Sequence, residues 1–317
     1  MSIWISRYTL VPRAALNARA GALPRRGALV RAGSGFGDLH PWPELGDLPL
    51  DAHLDSIAAG RPTALARRTL ECAAADGEAR ASGVSLFDEL RIPPSHYTAG
   101  AGELPEFRFL ERAGFDCAKV KAGPDAAAEI ERFNDAAPSL LGTKIRLRID
   151  FNASITVEEL GEIFDGMAAG LRERIEFVED PVPPDPSAWS EIRKRWRVLI
   201  AADREKPDPG CWDIAVIKPA WEPDEAVQEA IELGKRLVIT SAMDHPLGQA
   251  WAAWNAAIAE KDFPGRVLSC GLLTHGAYEM NEFSELLATD GAVLLPPEGR
   301  GLGFDEILEH LDWKRLT

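Results

Sequence analysis

The apolar positions of the chain change rhythm near residue 93. Before that point, Ile3-Trp4-Ile5-Ser6-Arg7-Tyr8-Thr9-Leu10-Val11 is rich in aromatic and β-branched residues, and Pro12 follows it. This reads as a β-strand closed by a breaker. A loop from Pro12 to Arg26 leads to a second predicted strand over Gly27–Ala32. Residues 64 to 81, rich in Ala, Leu and Arg and free of Pro, predict a helix. The opening portion is therefore α+β in character.

After Pro93-Pro94, short apolar runs alternate with helical stretches. Cys117–Lys121 precedes a helix over 125–136, Ile145–Asp150 one over 156–170, and Ile175–Glu179 one over 187–196. The series continues with Val198–Asp203, with Ile214–Lys218 before 223–234, and with Leu237–Ser241 before 247–260. Such alternation implies a parallel sheet with right-handed crossovers, and seven or eight units in about 200 residues suggest a closed barrel. An open doubly wound sheet is the competitor. The chain has no strand–GxGxxG–helix unit, which removes that sheet's commonest use, dinucleotide binding. Gly301-Leu302-Gly303 comes too late in the chain to be a phosphate loop.

Composition narrows the partners. The 317 residues carry 35 Lys+Arg against 50 Asp+Glu, a formal net charge of −15, and 46% are hydrophobic. That length and apolar content allow two domains, or one large barrel with an accessory piece. The acidic balance argues against nucleic acid and against an anionic membrane surface as partners. No apolar stretch approaches 18 residues, so no membrane span is expected. Cys72, Cys117, Cys211 and Cys270 lie far apart, with no zinc-type spacing, and are expected as free thiols in a reducing cytoplasm. The sequence carries no signal for monomer or homo-oligomer. One asymmetry remains: residues 1–37 hold six Arg and no Asp, Glu or Lys. Their Arg-rich, acid-free composition is that of an organelle transit peptide, but the strand pattern favours folded structure.

The ends of the predicted strands carry the chemistry. In order they are Lys119 and Lys121, Asp150, Glu179, Asp203 and Lys218. Active sites of parallel barrels form at these C-terminal ends, so three carboxylates on successive strands would converge there. Hard oxygen ligands suit an octahedral Mg²⁺ and not Zn²⁺. Any one acidic residue after a strand is also a natural helix N-cap, but three in series are harder to assign that way. Asp203 and Lys218 are only 15 residues apart, so the crossover helix between them must be short or missing. Lys119 and Lys121 flank Val120 and share one face of their strand. Side by side and buried, each should lower the other's pKa, towards the range of a general base.

These segments resemble a known family. Lys119-Val-Lys121, Arg148-Ile-Asp150-Phe-Asn152, Phe177-Val-Glu179-Asp180-Pro181, Ala202-Asp203 and Val216-Ile-Lys218-Pro219 follow the barrel motifs of the enolase superfamily, in its muconate-lactonizing subgroup. Chain length, Gly301-Leu302-Gly303 and the Ile239–Asp244 and Leu247-Gly248 segments are most similar to its o-succinylbenzoate synthases. The resemblance implies a modified TIM barrel, (β/α)₇β, over 93–290, with an α+β capping domain over 1–92 and a C-terminal segment, 291–317, returning to the cap. It implies Mg²⁺, with Mn²⁺ as an alternative, held by Asp150, Glu179 and Asp203. Lys121 is then expected to abstract a proton α to a carboxylate, Lys218 to stabilise the enediolate, and Lys119 to bridge a carboxylate oxygen. The expected activity is an o-succinylbenzoate synthase-like dehydration in menaquinone biosynthesis. Asn152, Ser241 and Arg19 are expected to bind a small dianionic carboxylate substrate, with Arg13, Arg25 and Arg26 nearby.

Some features depart from the family pattern. Arg204-Glu205 follows Asp203 where the family has an acid and then Ser, so Arg204 is expected to pair with a metal-site carboxylate or Glu205 to act as ligand. Asp244-His245 offers an acid–base dyad, although a capping His is commoner. A racemase, epimerase or cycloisomerase would use the same residues. A Schiff-base aldolase or a non-catalytic barrel are the readings from other classes.

Overall fold

The computed structural model describes residues 2–16, 21–100 and 102–317. The chain opens with antiparallel strands β1 (Ile3–Leu10), β2 (Arg25–Ala32) and β3 (Gly35–Leu39), followed by helices α1 (Leu50–Ala58) and α2 (Ala64–Ser82). The second strand starts two residues earlier than its pattern predicts, because the ladder extends to the Leu10–Arg25 pair. Thr63 caps α2 by accepting from the Ala66 amide, and Gly83 ends it in the left-handed region at φ 74°. The helix lies directly on β3. A Cβ on Gly35 would stand 1.9 Å from the Ala73 carbonyl oxygen, so only glycine permits this approach. Ile5, Val30, Leu39, Leu54 and Leu65 fill the space between sheet and helices.

The rest of the chain alternates strand and helix. Its elements are β4 (Tyr97–Thr98), α3 (Phe107–Arg112), β5 (Cys117–Lys121), α4 (Ala126–Leu141), β6 (Arg146–Asp150), α5 (Val157–Gly166), α6 (Leu171–Arg174) and β7 (Ile175–Glu179). Then come α7 (Pro186–Trp196), β8 (Ile200–Ala202), β9 (Ile214–Ile217), α8 (Glu225–Glu232), β10 (Arg236–Ile239) and α9 (Pro246–Asp262). The strands pair in parallel and in chain order. Residues 267–271 close the ring: Leu237–Val267 and Thr240–Gly271 bridge to one side, Ser95–Cys270 to the other. The fold is a modified TIM barrel, (β/α)₇β. Between β8 and β9 stands only a 3₁₀ turn, Pro209–Cys211, as the short spacing predicts.

Two barrel strands escape the sequence pattern. The two-residue β4 and the bridge-only 267–271 segment are too short to show any period. Their neighbours on the ring define them.

The C-terminal part adds α10 (Glu282–Glu285), a small hairpin of β11 (Thr289–Asp290) and β12 (Val293–Leu294), α11 (Asp305–His310) and β13 (Lys314–Arg315). The last strand pairs with β1 at the edge of the first sheet. Contacts from the first sheet reach the barrel mouth: the Trp42 indole donates to the Ala242 carbonyl at 2.9 Å, and Asp38 accepts from the His245 amide at 3.1 Å. Among the described residues, no helix is long and apolar enough to cross a membrane.

Candidate active site

Strand register assembles the site. Lys121 pairs with Asp150 and Asp150 with Glu179, so three ionisable side chains share one rung across β5, β6 and β7. Lys119, two residues before Lys121, lies on the same face. Glu179 pairs with Ala201, which puts Asp203 two residues further along on the same side. Lys218 directly follows β9. These six residues line one cavity of about 100 Å³ at the C-terminal ends of the strands, together with Asn152 and Ser241. Of the nine predicted site residues, eight are brought together there. Arg19 lies outside the described residues.

The charges are tightly coupled. Lys119 Nζ stands 2.6 Å from Glu179 Oε1 and 3.0 Å from Asp150 Oδ2, and Lys218 forms an ion pair with Asp203. Burial alone would lower the pKa of Lys119, but Asp150, Glu179 and Asp203 outweigh it and hold the ammonium well above its ordinary range. The two lysines therefore do not lower each other alike. Burial draws Lys121 below the usual lysine value, and the charges of Lys119 and Lys218 act in the same sense, against Asp150. The difference is that Lys121 has no carboxylate contact; its Nζ donates to the Leu16 carbonyl at 2.5 Å. Burial pushes Glu179 up to about 8, with Asp150 and Asp203 adding repulsion. Asp203 goes the other way: burial would raise it, but Lys218 and Lys119 prevail.

This donor set fits a hard dication. Three carboxylates face one cavity, and burial, with repulsion from Asp150 and Asp203, raises the pKa of Glu179 against the pull of Lys119, a cost that a cation between them relieves. Among the described residues, no three acidic, His or Cys side chains close on a single point, since the lysine ammonium groups stand among the carboxylates. Both lysine side chains, Lys119 and Lys218, are long and flexible, so the carboxylates can exchange one cation for another with little backbone change.

Backbone conformation sharpens the site. Asn152 (φ 51°), Ala153 (φ 55°) and Asp180 (φ 40°) take the left-handed region just beyond their strands. Such residues concentrate where a site dictates the geometry. Here the turn lets the Asn152 amide donate to Asp150 Oδ1 at 3.0 Å, fixing the carboxylate. Asp180, pushed up to about 7 by burial and by Asp203, accepts from the Asp203 amide at 3.0 Å.

Several expectations need correction. Arg204 pairs with no carboxylate; it reaches Asn152 Oδ1 at 3.4 Å, and its charge helps lower Asp203. Glu205 is exposed and lines a neighbouring cavity with Asp203 and Arg204, whereas of these three only Asp203 and Arg204 also line the carboxylate cavity. His245 is no dyad partner: its ring accepts from the Leu247 amide and caps α9. Arg25 is buried over the Trp42 ring, 4.3 Å from its centroid, and pairs with Glu44 at 2.6 Å, so it supports the cavity wall from behind. Arg26 is exposed on β2. Arg13 does line a second cavity, of about 320 Å³, that adjoins the first at Lys121.

The sequence pattern also missed wall residues. Trp42, Trp221, His96 and Thr98 line the main cavity. Thr98 belongs to the first barrel strand and His96 directly precedes it, so recognising that strand would have found them. Trp42 and Trp221 come from irregular segments with no periodic signal.

Comparison with known proteins agrees with this architecture. Residues 3–79 match the family described as O-succinylbenzoate synthase, N-terminal domain, and residues 106–208 the one described as Enolase C-terminal domain-like. An o-succinylbenzoate synthase from Bdellovibrio bacteriovorus is 34% identical over 330 aligned positions, covering 100% of this chain and 99% of that protein. The chain belongs to the o-succinylbenzoate synthase family. It is thus an enzyme of the lyase type within the enolase superfamily. A second o-succinylbenzoate synthase, from Thermobifida fusca, is 28% identical over 80% of this chain and 76% of its own. Two solved structures share the fold: an enolase-superfamily member from Roseovarius nubinhibens complexed with magnesium (TM-score 0.76, 16% identity, 100% and 98% coverage), and the L-Ala-D/L-Glu epimerase of Bacillus subtilis (TM-score 0.74, 18% identity, 95% and 97%).

Proposed function

We propose that this member of the family is a Mg²⁺-dependent dehydratase that makes o-succinylbenzoate from 2-succinyl-6-hydroxy-2,4-cyclohexadiene-1-carboxylate, in menaquinone biosynthesis. The observation that carries the reading is the asymmetry of the two lysines across the carboxylate cluster: Lys121 is drawn towards neutrality by burial, and Lys218 is ion-paired. That suits one base and one fixed cation.

Asp150, Glu179 and Asp203 would hold the metal. When bound, Mg²⁺ supplies a Lewis acid that makes the carbon acid α to the substrate carboxylate acidic enough to ionise. Lys121 takes that proton as neutral amine, and the buried cavity keeps bulk water from competing for it. Lys119 and Lys218 stabilise the negative charge developing on the carboxylate oxygens. The Lys121 ammonium then returns the proton to the departing hydroxyl on the same face, so water leaves and the ring becomes aromatic. Asn152 fixes Asp150, and Ser241, which hydrogen-bonds Thr274 at 2.6 Å in the cavity wall, contributes polar contacts. Arg13 is suited to the second carboxylate, since it lines the adjoining cavity. The net charge of −15 suits a small-molecule substrate rather than nucleic acid, and the four buried free thiols suit a cytoplasmic location.

Racemisation is the competing reading, because Lys121 and Lys218 line one cavity and an epimerase shares the fold. It requires Lys218 to exchange protons with carbon as a neutral amine, and the relatives matched over most of the chain are named as synthases. The test is to supply the cyclohexadiene substrate with Mg²⁺ and follow ultraviolet absorbance of the aromatic product. No turnover by folded protein overturns dehydration. Exchange of the α-proton of N-succinyl amino acids in deuterium oxide would then favour the racemase.

A further inference from the structure

His96 is unassigned by the mechanism above, yet its environment dictates its hydrogen-bonding state. The ring is buried, 5% exposed, at the start of the barrel. Its Nδ1 lies 2.8 Å from Nη1 of Arg148, whose guanidinium is fully buried and held by Glu176 (2.7 Å) and the Ser269 carbonyl (2.5 Å). A guanidinium has five donors and no acceptor. The bond therefore runs from Arg148 to His96, and Nδ1 must present its lone pair. In the neutral ring the hydrogen then sits on Nε2. Burial, Arg148 and Lys119 keep the ring from taking a second proton and outweigh the Ser269 carbonyl, which favours it but is itself bonded by Arg148 Nη1.

Nε2 has no hydrogen-bond partner among the described residues. It lies next to Gly271, where a Cβ would stand 3.2 Å away, and the missing side chain leaves that edge of the ring open. His96 lines both the carboxylate cavity and the adjoining cavity of Arg13, and so do Thr98, Lys121, Met243 and Thr274. The ring thus stands where the two spaces meet.

We propose that His96 is a substrate-binding residue that donates from Nε2 to a neutral oxo oxygen on the arm of the substrate, where the arm leaves the reacting ring. This rests on the dehydratase reading for the identity of the substrate. With the carbon acid beside Lys121, the succinyl arm runs into the second cavity, and its ketone is the first polar group to cross the junction. A neutral donor matches a neutral acceptor, among three lysines that already supply charge. Arg148 is then a positioning residue, acting only through the tautomer it imposes.

Two substitutions separate this role from a structural one. His96→Asn keeps an acceptor for Arg148 but puts no donor at the Nε2 position, whereas His96→Gln restores a donor there. The readouts are kcat/KM for the cyclohexadiene substrate and calorimetric affinity for two aromatic diacids, 2-succinylbenzoate and 2-(3-carboxypropyl)benzoate, which has methylene in place of the ketone. We expect H96N to lose about tenfold in kcat/KM and in affinity for the keto diacid, with unaltered affinity for the methylene diacid and an unshifted Tm; H96Q should recover most of both losses. Equal binding of the keto diacid by wild type and H96N overturns the assignment, as does an H96Q defect larger than that of H96N. A wild type that binds the keto diacid in a His96-dependent way without turning the substrate over refutes dehydration and leaves the His96 contact standing.

Discussion

Lys119 on β5 reaches past β6 to donate to Glu179 on β7, at 2.6 Å. It does so because Glu179 is 2% exposed and crowded by two further carboxylates, which makes it the least tolerable negative charge of the site. Replacing Glu179 with Gln removes one carboxylate ligand and also one source of repulsion. We expect E179Q to bind Mg²⁺ at least about tenfold more weakly by calorimetry, and its metal-free Tm not to fall. EDTA should abolish wild-type turnover and Mg²⁺ restore it. Activity that survives exhaustive chelation would refute the metal assignment.

The base assignment has its own signature in pH. Lys121 must be neutral to accept a proton, so kcat/KM should rise with pH along a limb whose midpoint lies below the usual lysine value of 10.5. The positive charge of Lys119 helps hold it there. Lys119→Met should therefore move the limb to higher pH, in addition to lowering the rate. Lys121→Ala should lower kcat by about a thousandfold or more, with the fold intact by circular dichroism. A limb that moves to lower pH in K119M contradicts the like-charge argument.

Much of the barrel was legible because its signals are local. Strands β5 to β10 carry apolar runs of ordinary length, and the ionisable residues at their ends identified the cavity wall on five of them. The missing helix between β8 and β9 followed from spacing alone. The first barrel strand was not legible, since two residues show no period, and His96 was lost with it. The opposed shifts of Lys119 and Lys121 were also out of reach. From the sequence the two lysines are equivalent, and only the register that sets Glu179 and Asp150 around Lys119 distinguishes them. The basic N-terminal segment misled in part: Arg25 is directed to Glu44 and Trp42, a pairing between distant segments that no local pattern encodes.

Gly301-Leu302-Gly303 has a structural explanation in Asp76. That carboxylate is fully buried and accepts from the amides of Phe36 (2.9 Å) and Leu302 (2.6 Å) and from Arg80 Nε (2.6 Å), joining β3, α2 and the C-terminal loop. Gly301 is at φ 58°, and a Cβ there would stand 2.1 Å from Asp76 Oδ1. Asp76→Ala leaves the two buried amides without their acceptor, while Arg80 keeps Asp305 and the Gly303 carbonyl, so we expect a loss of about 2–3 kcal/mol in urea unfolding. Gly301→Ala should destabilise by about 2 kcal/mol or more through clash and left-handed strain. A stability within about 0.5 kcal/mol of wild type for both variants would show that the loop is not anchored here.

His245 makes a prediction about acid stability. Its ring accepts from the Leu247 amide and packs between Tyr8 and Phe283, with centroids 4.5 and 4.4 Å away. Burial, with some help from His40, takes it down to about 3 from the usual 6.5, so it stays neutral in the fold. Between those values the unfolded chain binds a proton that the native state refuses, so its contribution to stability is lost as pH falls through that window. The slope is about 1.4 kcal/mol per pH unit. His245→Asn keeps a good helix cap and removes the titration. Near pH 7 the variant should be the less stable, because it gives up the aromatic packing. As the pH drops from about 6 to about 4, the gap should narrow at that same slope. Tyr8, Asp38, His40 and Asp244 surround the position in both proteins, and their own titrations cancel in the comparison to the extent that the cluster keeps its arrangement. Urea titrations of the two proteins at several pH values measure the gap directly, and a gap independent of pH would show that His245 is already charged in the native state.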